Sequence, residues 1–164
     1  MGQYPTKAAS NIYCIKRKEA SKYNDRLSSR QGAAELLGIS ESRLSDYELG
    51  ICKTVPSDVV AKMADLYNAP DLKNYYCRYE CPLGESVPVM TIDNLDRISI
   101  RALSTFRKIN ETRETFLDIV SDGMIDSTER PEMLKIMETL DELNAVTQSL
   151  KGWIQKNIIN KEGG

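Results

Sequence analysis

The stretch from Ser29 to Gly50 leaves the chain little choice of local fold. It begins Ser29-Arg30-Gln31-Gly32-Ala33-Ala34-Glu35-Leu36-Leu37-Gly38-Ile39-Ser40 and runs on through Leu49 to Gly50. Ser28 or Ser29 can cap the free N–H groups of a helix start, and Gly38 supplies the positive φ at which that helix stops. Ser40 is a second N-cap, so Glu41 to Leu49 reads as a further short helix ending at Gly50. Two helices joined this tightly cross at close range, which needs small side chains in the middle of the first. Ala33 and Ala34 stand there. The turn needs a left-handed residue, where glycine has no Cβ to clash. Ile39, Leu44 and Tyr47 supply the apolar lock. The pattern Ala34-x3-Gly38-Ile39-Ser40-x3-Leu44 meets all three demands and predicts a helix-turn-helix.

The rest of the chain also reads as helix, because apolar residues recur at spacings of three and four while Gly and Pro fall between the periodic stretches. A first helix is predicted from about Asn11 to Tyr23, with Ile12, Ile15 and Glu19 or Ala20 on neighbouring faces and a break at Asn24-Asp25. Pro56-Ser57 opens a fourth, with Val59, Val60, Met63, Leu66 and Tyr67 along its apolar stripe. A fifth starts near Pro70-Asp71 and places Leu72, Tyr75, Tyr76 and Tyr79 on one side, until Cys81-Pro82-Leu83-Gly84 stops it. Residues 11–82 therefore form a five-helix head, and 83–90 read as a linker.

Residues 91–160 carry two longer stripes. The first runs through Ile92, Leu95, Ile98, Ala102, Phe106, Ile109, Phe116 and Val120, the second through Met133, Met137, Leu140, Leu143, Leu150, Ile154 and Ile158. With Asp122-Gly123 ending one helix and the Ser127-Thr128 region starting the next, this is a helical hairpin with arms of ~45 Å. The fold class is all-α, a five-helix head followed by a long α-helical hairpin.

Composition removes several function classes. The chain has no His, the commonest general base and metal ligand, and no Ser-x-x-Lys, glycine-rich phosphate loop or paired-carboxylate arrangement stands out. No enzyme, cofactor or metal is expected. Apolar runs are too short for a membrane span, and Met1–Ser10 lacks the apolar core of an export signal. The expected location is the cytoplasm, with Cys14, Cys52, Cys77 and Cys81 as reduced thiols. The net charge of −2 is unevenly distributed. Residues 1–30 hold seven basic side chains against Glu19 and Asp25, whereas 91–164 hold ten basic against thirteen acidic ones. A basic head and an acidic tail suit a phosphate-facing domain with a solvated extension.

At residues 29–67 the chain resembles the helix-turn-helix family of phage lambda-type repressors, the XRE family. The resemblance rests on the Leu37-Gly38-Ile39-Ser40 turn, on Tyr47-Glu48-x-Gly50 and on Val55-Pro56-Ser57. From Asn11 to Gly84 it is similar to regulators of this type from Firmicutes and their mobile elements, through Leu66-Tyr67-Asn68-Ala69-Pro70 and the Cys77…Glu80-Cys81-Pro82-Leu83-Gly84 segment. The resemblance implies a sequence-specific transcriptional regulator that lays Glu41–Leu49 in the major groove of double-stranded DNA. Glu41, Ser42, Arg43 and Asp46 would then meet base edges, with Arg43 on guanine and Glu41 or Asp46 accepting from cytosine. Arg30 would contact the backbone or an outer base, and Ser29, Lys53 and Thr54 the phosphates. The two apolar stripes of residues 91–160, which a lone hairpin cannot bury fully, would join two copies as a four-helix bundle or dock another protein. The alternative is a helical adaptor of a mobile element that does not touch DNA, which the acids Glu41 and Asp46 motivate.

Three further patterns are read as structural. Cys77-x3-Cys81 is half a metal site or redox pair at best, and two small residues packed beside the tyrosine stripe otherwise. Asp118-x3-Asp122-Gly123-x-Ile125-x3-Glu129 has the spacing of a calcium loop, but Val120 stands at its third position without a side-chain oxygen. An interhelical turn fits better, capped either by an Asp126/Glu129 box or by Thr128. Tyr75, Tyr76 and Tyr79 fit a core or interface stripe better than a base-stacking platform.

Overall fold

The structure, a computed structural model, describes residues 7–161. The first six residues, part of the Met1–Ser10 stretch considered as an export signal, lie outside the described residues, as do the side chains of Lys7 and Asp122. Among the described residues the α-helices are α1 (Ile12–Ala20), α2 (Arg30–Leu37), α3 (Glu41–Glu48), α4 (Ser57–Leu66), α5 (Asp71–Tyr75), α6 (Leu95–Ile119) and α7 (Arg130–Asn157). No strand occurs among the described residues. The chain divides into two compact units, with the boundary between Val87 and Pro88.

In the head, Leu27, Leu37, Leu44, Val60, Met63 and Leu72 form the centre of a closed core with Ala33 and Ala34 at the α2–α3 crossing. Local signals set the helix ends. Ser29 Oγ accepts from Gly32 N (3.1 Å) and Ser40 Oγ from Arg43 N (3.2 Å), so each motif helix starts on a serine. Gly38 at φ 70° and Gly50 at φ 66° stop them, and the next residue in each case donates back across the last turn, Ile39 N to Ala34 O (3.0 Å) and Ile51 N to Asp46 O (2.9 Å). That pattern satisfies carbonyls the helix itself leaves open.

Two expectations for the head change. Along α1, the buried side is Tyr13, Cys14, Arg17 and Ala20, while Ile12 and Ile15 are only half-buried and Glu19 is exposed. An ion pair with Glu48 lets Arg17 occupy the inner face. After α5, residues Tyr76–Glu80 form a π-helical turn, in which Cys81 N bonds to Tyr76 O (3.0 Å). The wider turn rotates the residues beyond Tyr76, so Tyr79 is exposed instead of continuing the stripe, and Cys77 is exposed while Cys81 is half-buried. Tyr75 still packs, edge-on against Tyr13 with centroids 6.1 Å apart. All four thiols are free.

Part of the stretch read as a linker has structure. Gly84 is buried against the carbonyls of Cys77 and Arg78, and the Arg78 guanidinium donates to the carbonyls of Gly84 and Glu85. In the second unit, Ile92 lies before α6 instead of beginning its stripe, because Asn94 is the N-cap, its Oδ1 accepting from Arg97 N (3.0 Å). The preceding residues run along α7: Thr91 N donates to Ser149 Oγ (3.1 Å), and the Met90 and Ile92 side chains crowd Gly152.

The α6–α7 seam is narrow. Its buried members are Ile98, Ala102, Thr105 and Ile119 on α6, and Ile136, Val146, Ser149 and Gly152 on α7. Phe106, Phe116 and Val120, with Met137, Leu140, Ile154 and Ile158, belong to the predicted stripes yet are exposed. At the hairpin bend, Asp126 Oδ1 accepts from Glu129 N (3.2 Å) while Glu129 Oε2 accepts from Asp126 N (3.0 Å). These reciprocal bonds close the turn ahead of α7, whose own N-cap, Glu129, makes no side-chain cap bond. Thr128 is not the cap: its hydroxyl donates to Asp126 Oδ1 (2.6 Å).

Candidate nucleic-acid interface

The short helix α3 has two sides of opposite character. Leu44, Tyr47 and Glu48 turn inward and are buried, while Glu41, Ser42 and Arg43 are exposed and Asp46 is half-buried one turn on. A residue advances 100° around a helix, so the positions at 44, 47 and 48 fix one face to the core and leave the N-terminal turn outside. The outward side is therefore open to a groove-sized partner.

The eight residues nominated from the sequence fall into two groups. Glu41, Ser42, Arg43 and Asp46 lie along the first turns of α3. Ser29 and Arg30 begin α2, and Arg30 Nε donates to Glu48 Oε2 at 2.8 Å, which places that pair beside the far end of α3. Lys53 and Thr54, both exposed, follow Gly50 and belong to that end too. Glu41 and Glu48, the two ends of α3, lie roughly 10 Å apart at 1.5 Å per residue, and Asp46 stands near the second end, where Ile51 N donates to its carbonyl. Ser29 also serves the fold as the α2 cap.

The feature that holds this surface in place was not found from the sequence. Glu48 is fully buried at the end of α3, and Arg17 of α1 grips it with two bonds, Nε to Oε1 at 2.5 Å and Nη2 to Oε2 at 3.0 Å. Arg17 Nη1 donates to the carbonyls of Leu27 (2.8 Å) and Ser28 (3.2 Å) just before α2. Burial pushes the Glu48 carboxyl up, but the guanidiniums of Arg17 and Arg30 outweigh it and hold the group below its ordinary range. Arg17 is shifted up by the same bond to Glu48. A buried charge is tolerable only when paired and hydrogen-bonded, and here one carboxylate ties α1, α2 and α3 together. The sequence does carry a signal for it: Glu48 follows Leu44 and Tyr47 at core spacing, as Arg17 follows Tyr13 and Cys14.

A second carboxylate fixes the loop after α3. Glu80, in the π-helical turn, accepts from Tyr13 Oη (2.7 Å) and from Val55 N (3.0 Å). Burial and then the Glu80 carboxylate raise the Tyr13 phenol well above its usual range, so it stays a donor. Asn11 adds a third tie, its side-chain amide donating to Tyr47 O (3.0 Å). The loop carrying Lys53 and Thr54 thus leaves α3 and reaches α4 with its return point, Val55, buried and bonded.

Among the described residues no cluster of three or more metal-ligating side chains occurs, and no helix is long and apolar enough to cross a membrane. Residues 24–73 match the family model described as a helix-turn-helix domain, a span that contains α2, α3 and α4 whole. The match covers less than half of the 164-residue chain and supports a DNA-binding regulator. Searches of curated proteins and of solved structures return no match.

Proposed function

We propose that the chain is a sequence-specific transcriptional regulator of the XRE type, which acts in the cytoplasm and binds double-stranded DNA as a homodimer. The observation that carries the reading is the outward face of α3, exposed from Glu41 to Arg43 while Leu44, Tyr47 and Glu48 anchor its other side. Arg43 reads a guanine, Glu41 or Asp46 accepts from a cytosine, Ser42 meets a base edge, Arg30 contacts the backbone or an outer base, and Ser29, Lys53 and Thr54 hold phosphates. No catalytic step, cofactor or metal enters the proposal.

Dimerisation is supported by the hairpin. Ile109, Phe116, Ile136 and Leu140 line an open, almost wholly apolar groove between its arms. By helical rotation Phe106 of α6 and Ile154 of α7 share that side. The groove on the other side is lined by Arg101, Ser104, Glu142 and Ser149, among others, and is more polar. A hairpin with one apolar face buries it by pairing with a copy of itself into a four-helix bundle.

Selection from random duplexes with the full chain tests the reading. An enriched site, whose preference at one base relaxes in Arg43→Ala, is the expected outcome. The specific observation behind the second reading, a helical adaptor, is the pair of acids at Glu41 and Asp46, which repel phosphate. No enriched duplex at low salt favours that adaptor.

A further inference from the structure

The basic residues of α1 and of the turn after it are used in three different ways. Lys16 is paired with Glu19 (3.4 Å) and Asp71 (2.8 Å), and Arg17 is buried on Glu48. Lys18 and Lys22 are exposed, and neither lies in an ion pair among the described residues. Lys18 lies in the last turn of α1 and Lys22 in the turn that follows it. Beside them Tyr23 is 92% exposed, the most exposed of the large apolar side chains described.

The turn that presents them is built to stay put. Tyr23 N and Asn24 N both donate to Ala20 O (3.0 and 3.1 Å), Asn24 Oδ1 accepts from Arg26 N (3.2 Å), and Leu27 is buried. Arg17 holds the carbonyls of Leu27 and Ser28 with the same guanidinium that grips Glu48. One side chain therefore fixes the position of this turn relative to α3. The turn then runs directly into Ser29 and Arg30.

We infer that Lys18, Lys22 and Tyr23 form a second contact with the DNA backbone, beyond the helix-turn-helix itself, through the ammonium groups and the phenol hydroxyl. The inference rests on the proposed DNA-binding function. Lysine and tyrosine both bond phosphate oxygens without reading sequence. Arg26 is engaged with Glu35 (3.0 Å), which leaves Asp25 as the carboxylate of the turn that opposes binding.

The test uses the full chain and two duplexes of about 30 base pairs, one enriched by the wild type from a random pool and one unrelated, over a salt series. Lys18→Gln with Lys22→Gln should lower the slope of log K against log salt by about 2 and weaken both duplexes alike, roughly tenfold at low salt. Tyr23→Ala should weaken both several-fold, and Asp25→Asn should strengthen both. The same neutralisation at Lys135 and Lys151, on α7, should leave the slope unchanged. An unaltered slope in a Lys18/Lys22 variant that melts like wild type, while Arg43→Ala still changes base preference, overturns the inference and spares the DNA reading. An equal slope loss in the Lys135/Lys151 variant overturns it as well. A wild-type chain that binds no duplex sinks both.

Discussion

The head and the hairpin are both helical, yet they reach burial by different routes. In residues 7–87 helices of five to ten residues cross in several directions, and a core from Tyr13 to Leu72 closes around Leu27, Leu44 and Met63. In residues 88–161 two long helices lie side by side, and much of what covers their seam is small or polar: Ala102, Thr105, Ser149 and Gly152. Two cylinders can shield only the strip where they touch, so Phe106, Phe116, Leu140 and Ile154 remain in water. The difference teaches that helical periodicity is sufficient for a closed core only when a third direction of packing is available.

The comparison can be broken most sharply at Glu48. Replacing it with Ala leaves Arg17 as an uncompensated buried charge, and urea unfolding of the head should lose about 3–5 kcal/mol. No such cost is expected anywhere on the hairpin, whose ion pair Lys108–Glu142 (2.7 Å) is about half exposed and falls among surface pairs worth about 0–1 kcal/mol. Next in size is the open face. Phe106→Asp with Leu140→Asp should convert the chain from dimer to monomer in sedimentation at tens of micromolar, leaving the head's unfolding midpoint in place. A wild type that is already monomeric at that concentration would remove the four-helix model.

Acid sharpens the comparison further, with a smaller effect. The Glu48 carboxyl is held below its ordinary value of 4.5 in the folded head. Its contribution to stability is therefore fully present above that value and is lost as the pH falls through the lower, folded pKa. The urea midpoint of the head should drop between neutral pH and about pH 3, and Glu48→Gln, already weakened at neutral pH, should show a shallower drop. The smallest effect belongs to the caps. Ser40→Ala and Asn94→Ala each remove a side-chain acceptor at a helix start, on α3 and α6 respectively, and each should cost about 1 kcal/mol by urea unfolding. Because the proposed dimer assembles through the hairpin, the hairpin's unfolding midpoint, in wild type and in the Asn94 variant alike, should rise with protein concentration.

Local chemistry settled a large share of this protein before any tertiary contact was considered. Ser29, Gly38, Ser40 and Gly50 place both ends of α2 and α3, because a cap or a left-handed glycine acts on backbone groups within a few residues of itself. Ala33, Ala34 and Leu44 gave the crossing for the same reason, since spacing along a helix fixes which side chains share a face. Tertiary structure alone decided what charge and aromatic residues do. Whether Arg17 meets phosphate or a buried carboxylate depends on Glu48, thirty-one positions away; core spacing in each segment turns both residues inward but does not pair them. The π-helical turn at Tyr76–Glu80 likewise answers to distant partners, the Tyr13 hydroxyl and the Val55 amide that converge on Glu80. In the hairpin, the sequence determined the stripes, while only packing in three dimensions showed how little of them one neighbouring helix can cover.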